Sequence, residues 1–522
     1  MWKRLLICFS FATWCFLNTW VELAEGDGPY FARFDPRITV ALPALCCEVM
    51  LTLLMLAAWE FFRRRRLGPL PHLLFLASCL APIGIASVAL LRLAPVDLVP
   101  LVRNRLFWPI ALAVALAPAV LALRWPQAAS RLARGFFLYS SPVLALILVQ
   151  AVRHGLWHSG AEYADGQPAA RLESAPPVRV IWIVFDELSR KIAFDARPAS
   201  LTLPNFDRLR AESFDASAAE PPGRATETCM PSLILGEIVS GATPLGPSDL
   251  RMNGSARADP FGWNVHSNVF DTARAMGLNT ALIGWFHPYG RVLNHSLTEW
   301  AWTASQLNSG IEEPATRQSL LANMRFRLQA QMVVFPLVGH IPGYFPGLLW
   351  RLEKMERFGY LLSRAEQVVA DPSCGLALLH LQEPHPPPVF SRRLHAIAPR
   401  ARNSYLDSLA FTDQTLGDLR RKMEQAGLWD KTALIISADH GWRNYIWRGT
   451  PEWTAEDASL PLDGTIGVPF IVKLPHQTTP LVYSKPFNTV VTRAVITQIL
   501  EGKLTQPAQL PAAIEQAAKI TR

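Results

Sequence analysis

The strongest limit on this fold is where the apolar residues fall, because they are massed at the start of the chain. Half of the 522 residues are hydrophobic, and the excess sits in the first third. About five apolar segments can be drawn there, at Leu5–Trp20, Ile38–Phe62, Leu70–Leu93, Phe107–Leu123 and Phe136–Val152. Each approaches the roughly 20 residues that a helix needs to cross the hydrocarbon of a bilayer. A chain of this length and pattern is too long for one ordinary domain. The sequence predicts a multi-span α-helical membrane domain over 1–156, a linker over 157–177 and a soluble domain over 178–522. The first segment, preceded by Lys3 and Arg4, also fits a signal peptide. No clear small-residue cleavage pattern follows it, and four further segments do.

The net charge is +8, but much of it flanks apolar segments, which makes it a signal of orientation. Lys3 and Arg4, the run Arg63 to Arg66, and Arg124, Arg131 and Arg134 fall on one side if all five segments span. Arg92, Arg103 and Arg105 weaken that asymmetry without reversing it. The expectation is an integral protein of the cell (inner) membrane, with everything after Val152 in the periplasm or outside. No nucleic-acid-binding motif accompanies the charge, so nucleic acid is not expected as a partner, and nothing points to an obligate protein partner. Of seven cysteines only Cys229 and Cys374 lie beyond the apolar segments. Two unrelated buried thiols are the better reading of that pair, with a disulfide as the other. No Cys-x-x-Cys or Cys/His zinc spacing occurs.

Pro176-Pro177 closes the Ala-, Gly- and Glu-rich linker. The run Val178 to Phe185 then reads as a buried parallel strand, and it ends in Asp186-Glu187. Open α/β sheets bind ligands at the C-terminal tips of such strands. Adjacent carboxylates repel unless a cation neutralises them, although a helix N-cap would use the same residues. Thr432 to Ser437 is a second apolar strand, delivering Asp439 and His440 at its tip and followed by Gly441. Hard oxygen beside imidazole nitrogen suits zinc or manganese, with calcium or magnesium behind them. Tyr405 to Lys422 has helical spacing that continues to Gly427, a plausible C′ residue. Helix, strand and acidic tip in that order define an α/β domain.

These motifs, in this order, resemble the sulfatase branch of the alkaline phosphatase superfamily. Val180–Leu188 resembles its opening metal-binding strand, Leu203–Leu209 the Pro-Asn-x-Asp-x-Leu segment, Ser437–Gly441 the second metal motif and Val468–Pro475 the late Val-Pro strand. The resemblance covers about 177–502 and implies a central, mostly parallel sheet. The apolar anchor resembles that of lipoteichoic acid synthases and lipid A phosphoethanolamine transferases. By resemblance, Asp186, Glu187, Asp439 and His440 hold a divalent ion.

Cys229-Met230-Pro231-Ser232 is similar to the Cys-x-Pro-Ser-Arg of true sulfatases, but Leu233 replaces the Arg. Aligning Leu233-Ile234-Leu235-Gly236 with the family's closing Leu-Leu-Thr-Gly puts Thr226 at the nucleophile, a hydroxyl that metal coordination would activate. Thr226 as a simple helix N-cap is the competing reading, and Thr228 and Cys229 are the other candidate nucleophiles. His380 and His385 resemble the His-x-Pro-His loop that follows a buried strand at Gly375–Leu379. His385 is the candidate for proton donation, and His380 and Arg224 for substrate binding. Gly284–Gly290 reads as packing rather than pocket. The resemblance thus implies a metal-dependent hydrolase or transferase acting on a membrane lipid or envelope glycan through a threonine nucleophile. A sulfuric-ester hydrolase and a catalytically degenerate membrane scaffold are the alternatives.

Overall fold

A computed structural model gives the fold. It describes residues 2–24, 28–31, 35, 37–65, 68–93, 120, 122–157, 160–173, 176, 178–255, 259–304, 319–333, 346–448, 450, 452–462 and 466–520. The chain divides into two compact units. One comprises 1–29, 34–160 and 312–346, and the other 30–33, 161–311 and 347–522.

The first unit is helical among the described residues. Two of its helices are long and apolar enough to cross a membrane, Arg37–Arg65 and Pro126–Arg153. The first apolar segment lies on the shorter helices Trp2–Cys15 and Leu17–Ala24, and the third on Leu70–Ser78 and Leu80–Leu93. Residues 107–119 of the fourth segment lie outside the described residues. Among the described residues there are therefore two candidate spans, where the sequence predicts five.

The second unit is an α/β domain around an eight-stranded sheet. Its strands are β1 (Arg179–Asp186), β2 (Phe214–Ala216), β3 (Asn279–Phe286), β4 (Glu299–Ala304), β5 (Cys374–Pro384), β6 (Thr432–Ala438), β7 (Phe470–Lys473) and β8 (Leu481–Tyr483). The order is β8-β2-β7-β6-β1-β5-β3-β4. Only the pairings of β7, with β6 and with β2, are antiparallel, so the sheet is mostly parallel. Every residue of β1, β5 and β6 is buried, as continuous apolar runs require when both faces of a sheet are covered.

Register does the positioning. β1 runs parallel to β6 with Phe185 opposite Ala438, and parallel to β5 with Val184 opposite His380. Three adjacent parallel strands therefore end together, and the residues just past their tips meet. The predicted helix is present as α3 (Tyr405–Gln425), and Gly427 closes it at φ 66°. Two further helices matter for the site: α1 (Thr226–Leu235) and α2 (Pro346–Ala370).

At the opposite end of β1 a buried cation ties the layers together. The Arg179 guanidinium donates to the carbonyls of Val368 and Val369 in the last turn of α2, at 2.9 and 2.8 Å. It also reaches the Cys374 carbonyl and the Thr432 hydroxyl, each at 3.2 Å. Helix C-terminal carbonyls lack intrahelical donors, so Arg179→Met withdraws a charged donor from each of these buried acceptors. The expected loss is roughly 3 kcal/mol, read as a lower urea midpoint for the catalytic unit.

Candidate active site

Thr226 opens α1 as its first helical residue, and Ala225 takes the N-cap position. Its hydroxyl is therefore not spent on capping and turns toward the strand tips. Thr226 Oγ1 lies 2.8 Å from Asp439 Oδ2, 3.3 Å from Asp186 Oδ2 and 3.2 Å from His440 Nε2. All four residues are buried. His440 Nδ1 donates to the Gly441 carbonyl at 3.1 Å, which fixes the tautomer and aims the Nε2 lone pair inward.

The geometry calls for a cation. One hydroxyl has one proton, yet three acceptors converge on it. Asp186 Oδ1 is buried with no hydrogen-bond partner among the described residues, a costly condition for a carboxylate. Burial, followed by the nearby Asp439 and Glu187, pushes the Asp186 carboxyl well above its ordinary pKa. Asp186, Asp439 and His440 each offer a ligand atom within 4.8 Å of the others. Two oxygens and an imidazole nitrogen, with Thr226 beside them, fit a divalent ion of the zinc type.

Glu187 behaves differently from its neighbour. Its backbone turns at φ 63°, a conformation uncommon for a side-chain-bearing residue. Tyr405 of α3 clamps the turn. Its hydroxyl donates to the Glu187 carbonyl at 2.6 Å and accepts from the Ser189 N–H at 3.0 Å, while its ring stacks on Trp442 at 4.3 Å. The turn sends the Glu187 carboxylate away from Thr226. Oε1 takes the Arg443 Nε at 2.6 Å, and Oε2 takes the Trp447 Nε1 at 3.3 Å. Of the four ligands expected from sequence, three surround Thr226. Glu187 instead groups with Asp186 and His385 in a second cluster.

His385 is occupied as well. Its Nδ1 donates to the Pro386 carbonyl, so Nε2 is the acceptor for Arg443 Nη2 at 3.3 Å. Burial first, and then Arg443 and Lys354, hold its pKa well below the usual value. In this arrangement Nε2 carries no proton to donate, contrary to the role expected from sequence. Lys354 of α2 secures the loop by donating to the carbonyls of His385 and Pro387 and pairing with buried Glu383 at 2.8 Å.

His380 lies inside β5, not in the loop expected from sequence. Its Nδ1 meets the Tyr289 hydroxyl at 3.0 Å, and burial pushes its pKa down to about 4. Its Nε2 is buried with no hydrogen-bond partner among the described residues. Arg224 is exposed and lines a cavity of about 630 Å³ with Arg190, Lys191 and Ser217. Cys229 and Cys374 are separate buried thiols, and burial drives the Cys229 pKa upward.

The sequence reading missed Arg443, Lys354, Tyr405 and His287. His287 Nε2 lies 3.3 Å from the Thr226 carbonyl, and its Nδ1 meets the Tyr30 hydroxyl at 2.9 Å. The signal for Arg443 was available, since it follows His440 by three residues. Nothing in the sequence around Lys354 or Tyr405 announces their partners.

Fold and site define a class: an α/β ester hydrolase whose parallel strands deliver acidic and histidine side chains where a divalent cation fits. The chain belongs to the sulfatase family, whose sequence model matches residues 180–499, and so to the sulfatase-like branch of the alkaline phosphatase superfamily. No curated relative matches the chain. Among solved structures it is similar to Ps i-CgsB in complex with k-i-k-neocarrahexaose, at 15% identity and TM-score 0.43, covering 65% of this chain and 76% of that one. It is also similar to a phosphonate monoester hydrolase of Agrobacterium radiobacter, at 16% identity and TM-score 0.37, covering 62% and 74%. Murine ectonucleotide pyrophosphatase/phosphodiesterase 5 matches at 11% identity and TM-score 0.36, covering 63% and 96%. Likenesses this distant do not select a substrate.

Proposed function

We propose that this protein is a metal-dependent envelope enzyme that moves a phospho-headgroup from a membrane lipid to an acceptor, or to water, through Thr226. The observation that carries this reading is the Thr226 hydroxyl held among Asp439, Asp186 and His440. A divalent ion held there would supply positive charge that lowers the hydroxyl pKa and offsets the charge of the ester. Asp186, Asp439 and His440 are the residues placed to hold it.

Thr226 Oγ1 forms the new bond to phosphorus as the bond to the leaving oxygen breaks; its proton passes toward Asp439 Oδ2, 2.8 Å away, and the departing oxygen takes a proton from solvent. The N-terminus of α1 begins at the same residue and favours the anionic ester. His380 Nε2, buried with no hydrogen-bond partner among the described residues, is available to an ester oxygen, and Arg224 at its cavity to a larger anionic substrate. An acceptor hydroxyl, or water, then attacks phosphorus as the bond to Thr226 Oγ1 breaks; the acceptor's proton is released and Oγ1 regains its own from Asp439. The five-span arrangement would put this chemistry on the outer face of the inner membrane, beside lipid or envelope glycan.

Sulfate-ester hydrolysis is the second reading, because the matched family is the sulfatases. It ordinarily runs through a formylglycine made from Cys or Ser, and Thr226 cannot become one. The intact Thr226 cluster also argues against a degenerate scaffold. Intact mass spectrometry with peptide mapping over 224–233 separates these readings. A phospho-adduct on Thr226, missing from Thr226→Ala, is expected. Formylglycine at Cys229 would overturn the assignment.

A further inference from the structure

The Thr226 hydroxyl stands on a helix start that its own residues hold weakly. Ala225, at the N-cap of α1, makes no side-chain capping bond, and Pro231 lies inside the helix. Proline has no N–H, so no bond runs from position 231 back to the Glu227 carbonyl. From outside the helix, His287 Nε2 reaches the Thr226 carbonyl at 3.3 Å. Burial pushes the His287 pKa down to about 3, so the ring is neutral at ordinary pH and carries one N–H. A carbonyl only accepts, so that N–H is on Nε2 and points at Thr226. Nδ1 is then an acceptor, and the Tyr30 hydroxyl donates to it at 2.9 Å.

Tyr30 precedes His287 by 257 positions and lies outside 180–499, the stretch that the family model matches. It still belongs to the catalytic unit, which takes 30–33 from between 1–29 and 34–160 of the other unit. Tyr30 and Phe31 are both buried in the core of the catalytic unit. Arg291 Nη2 donates to the Tyr30 carbonyl at 3.0 Å. The Phe31 ring meets Phe286 edge-on, with centroids 5.1 Å apart, and Trp263 packs against His287 at 4.9 Å. Apolar packing by itself would be served by phenylalanine at position 30, whereas a buried phenol hydroxyl needs a partner. Burial keeps that phenol well above its ordinary pKa, so it retains the proton it donates.

We infer that Tyr30 is a positioning residue for the nucleophile: its hydroxyl fixes the His287 tautomer, and His287 holds the Thr226 backbone so that Oγ1 faces Asp439, Asp186 and His440. This rests on Thr226 being the attacking group. The stretch shared with the family does not complete the site, and a segment from the N-terminal third does. Small displacements matter at such a place, since a shift of about 1 Å at a reacting atom can cost about 100-fold in rate.

The test uses the full chain purified in detergent with zinc, and bis(4-nitrophenyl) phosphate as the phosphodiester probe. Tyr30→Phe keeps the ring and removes the hydroxyl. It is expected to lower kcat about tenfold and to leave KM within about twofold, the split that marks lost alignment and not lost binding. His287→Phe is expected to lower kcat about 100-fold. The double variant should fall no further than His287→Phe, because Tyr30 acts only through that ring. A second readout needs no substrate. With nitrogen-15 histidine, the His287 signals are those lost in His287→Phe, and they should show a protonated Nε2 and a bare Nδ1. The Nδ1 signal should move downfield in Tyr30→Phe as its hydrogen bond is lost. Thermal melts establish that each variant is folded, and if Tyr30→Phe is not, the wild-type His287 signals still decide. Unchanged kcat in folded Tyr30→Phe, losses that multiply in the double variant, or a proton on Nδ1 in the wild-type protein would each overturn the inference. Thr226→Ala is run in the same assay, and turnover equal to wild type there would remove the nucleophile reading on which the inference rests.

Discussion

Thr226→Ala is expected to lower turnover by at least about 10³-fold, the scale on which a group acting in concert with its neighbours is lost. The fold should survive, because α1 takes its N-cap from Ala225 and not from the Thr226 side chain. What disappears is the hydroxyl oxygen that lies within 3.3 Å of Asp186, Asp439 and His440 together. Thr226→Ser keeps a hydroxyl on the same helix position, and its activity should fall by no more than about tenfold, or 1.4 kcal/mol in barrier. Phosphodiester turnover by the two purified variants checks this. Activity in Thr226→Ala comparable to wild type would show that another group attacks the ester. Substituting Thr226 in cells also tests the scaffold reading, since a scaffold would still complement a deletion without the hydroxyl.

Asp439→Asn is expected to cost at least about 100-fold in zinc affinity, a scale already reached by groups one shell further out, and to abolish turnover with it. Asp439 Oδ1 accepts the N–H groups of His440 at 2.7 Å and Glu187 at 3.3 Å, while Oδ2 faces Thr226 and His440. Asparagine preserves an acceptor for the backbone and removes the charge. The metal-free variant should then melt above metal-free wild type by about 2–4 °C. Like charge from Asp439 is one of the causes that raise the buried Asp186 carboxyl, and removing it relieves that repulsion. Zinc should raise the melting temperature of the wild-type protein and leave that of the variant almost unchanged. Paired melts with and without zinc check both signs. A metal-free variant that melts below wild type would mean that the Asp439 carboxylate stabilises the empty site.

The catalytic unit's class was legible because its strands are local statements. Arg179–Asp186 and Thr432–Ala438 are continuous apolar runs, and a run buried on both faces can be read from composition alone. Their tips carry Asp186, Asp439 and His440 directly in sequence, and the helix Tyr405–Gln425 follows from its apolar spacing and the Gly427 stop. The N-terminal half was less legible. Hydropathy finds apolar stretches but does not say where helices break, so the third segment became two short helices. Among the described residues two candidate spans stand where five segments were drawn, and 107–119 of the fourth lie outside them.

By itself, then, the sequence determined the α/β class, the order of the family's motifs and which strand tips carry metal-competent groups. The tertiary structure alone decided how neighbouring side chains divide the work. Asp186 and Glu187 are adjacent in the chain, yet Asp186 faces Thr226 and Glu187 faces Arg443. That division comes from a positive φ held by Tyr405, 218 positions away. Likewise, His385 was expected to donate a proton, but a hydrogen bond from its Nδ1 to Pro386 and one from Arg443 to its Nε2 leave it an acceptor. Sequence periodicity reports which residues are buried. Direction at a turn, the tautomer of a ring and the partner of a buried charge depend on groups that only folding brings within reach.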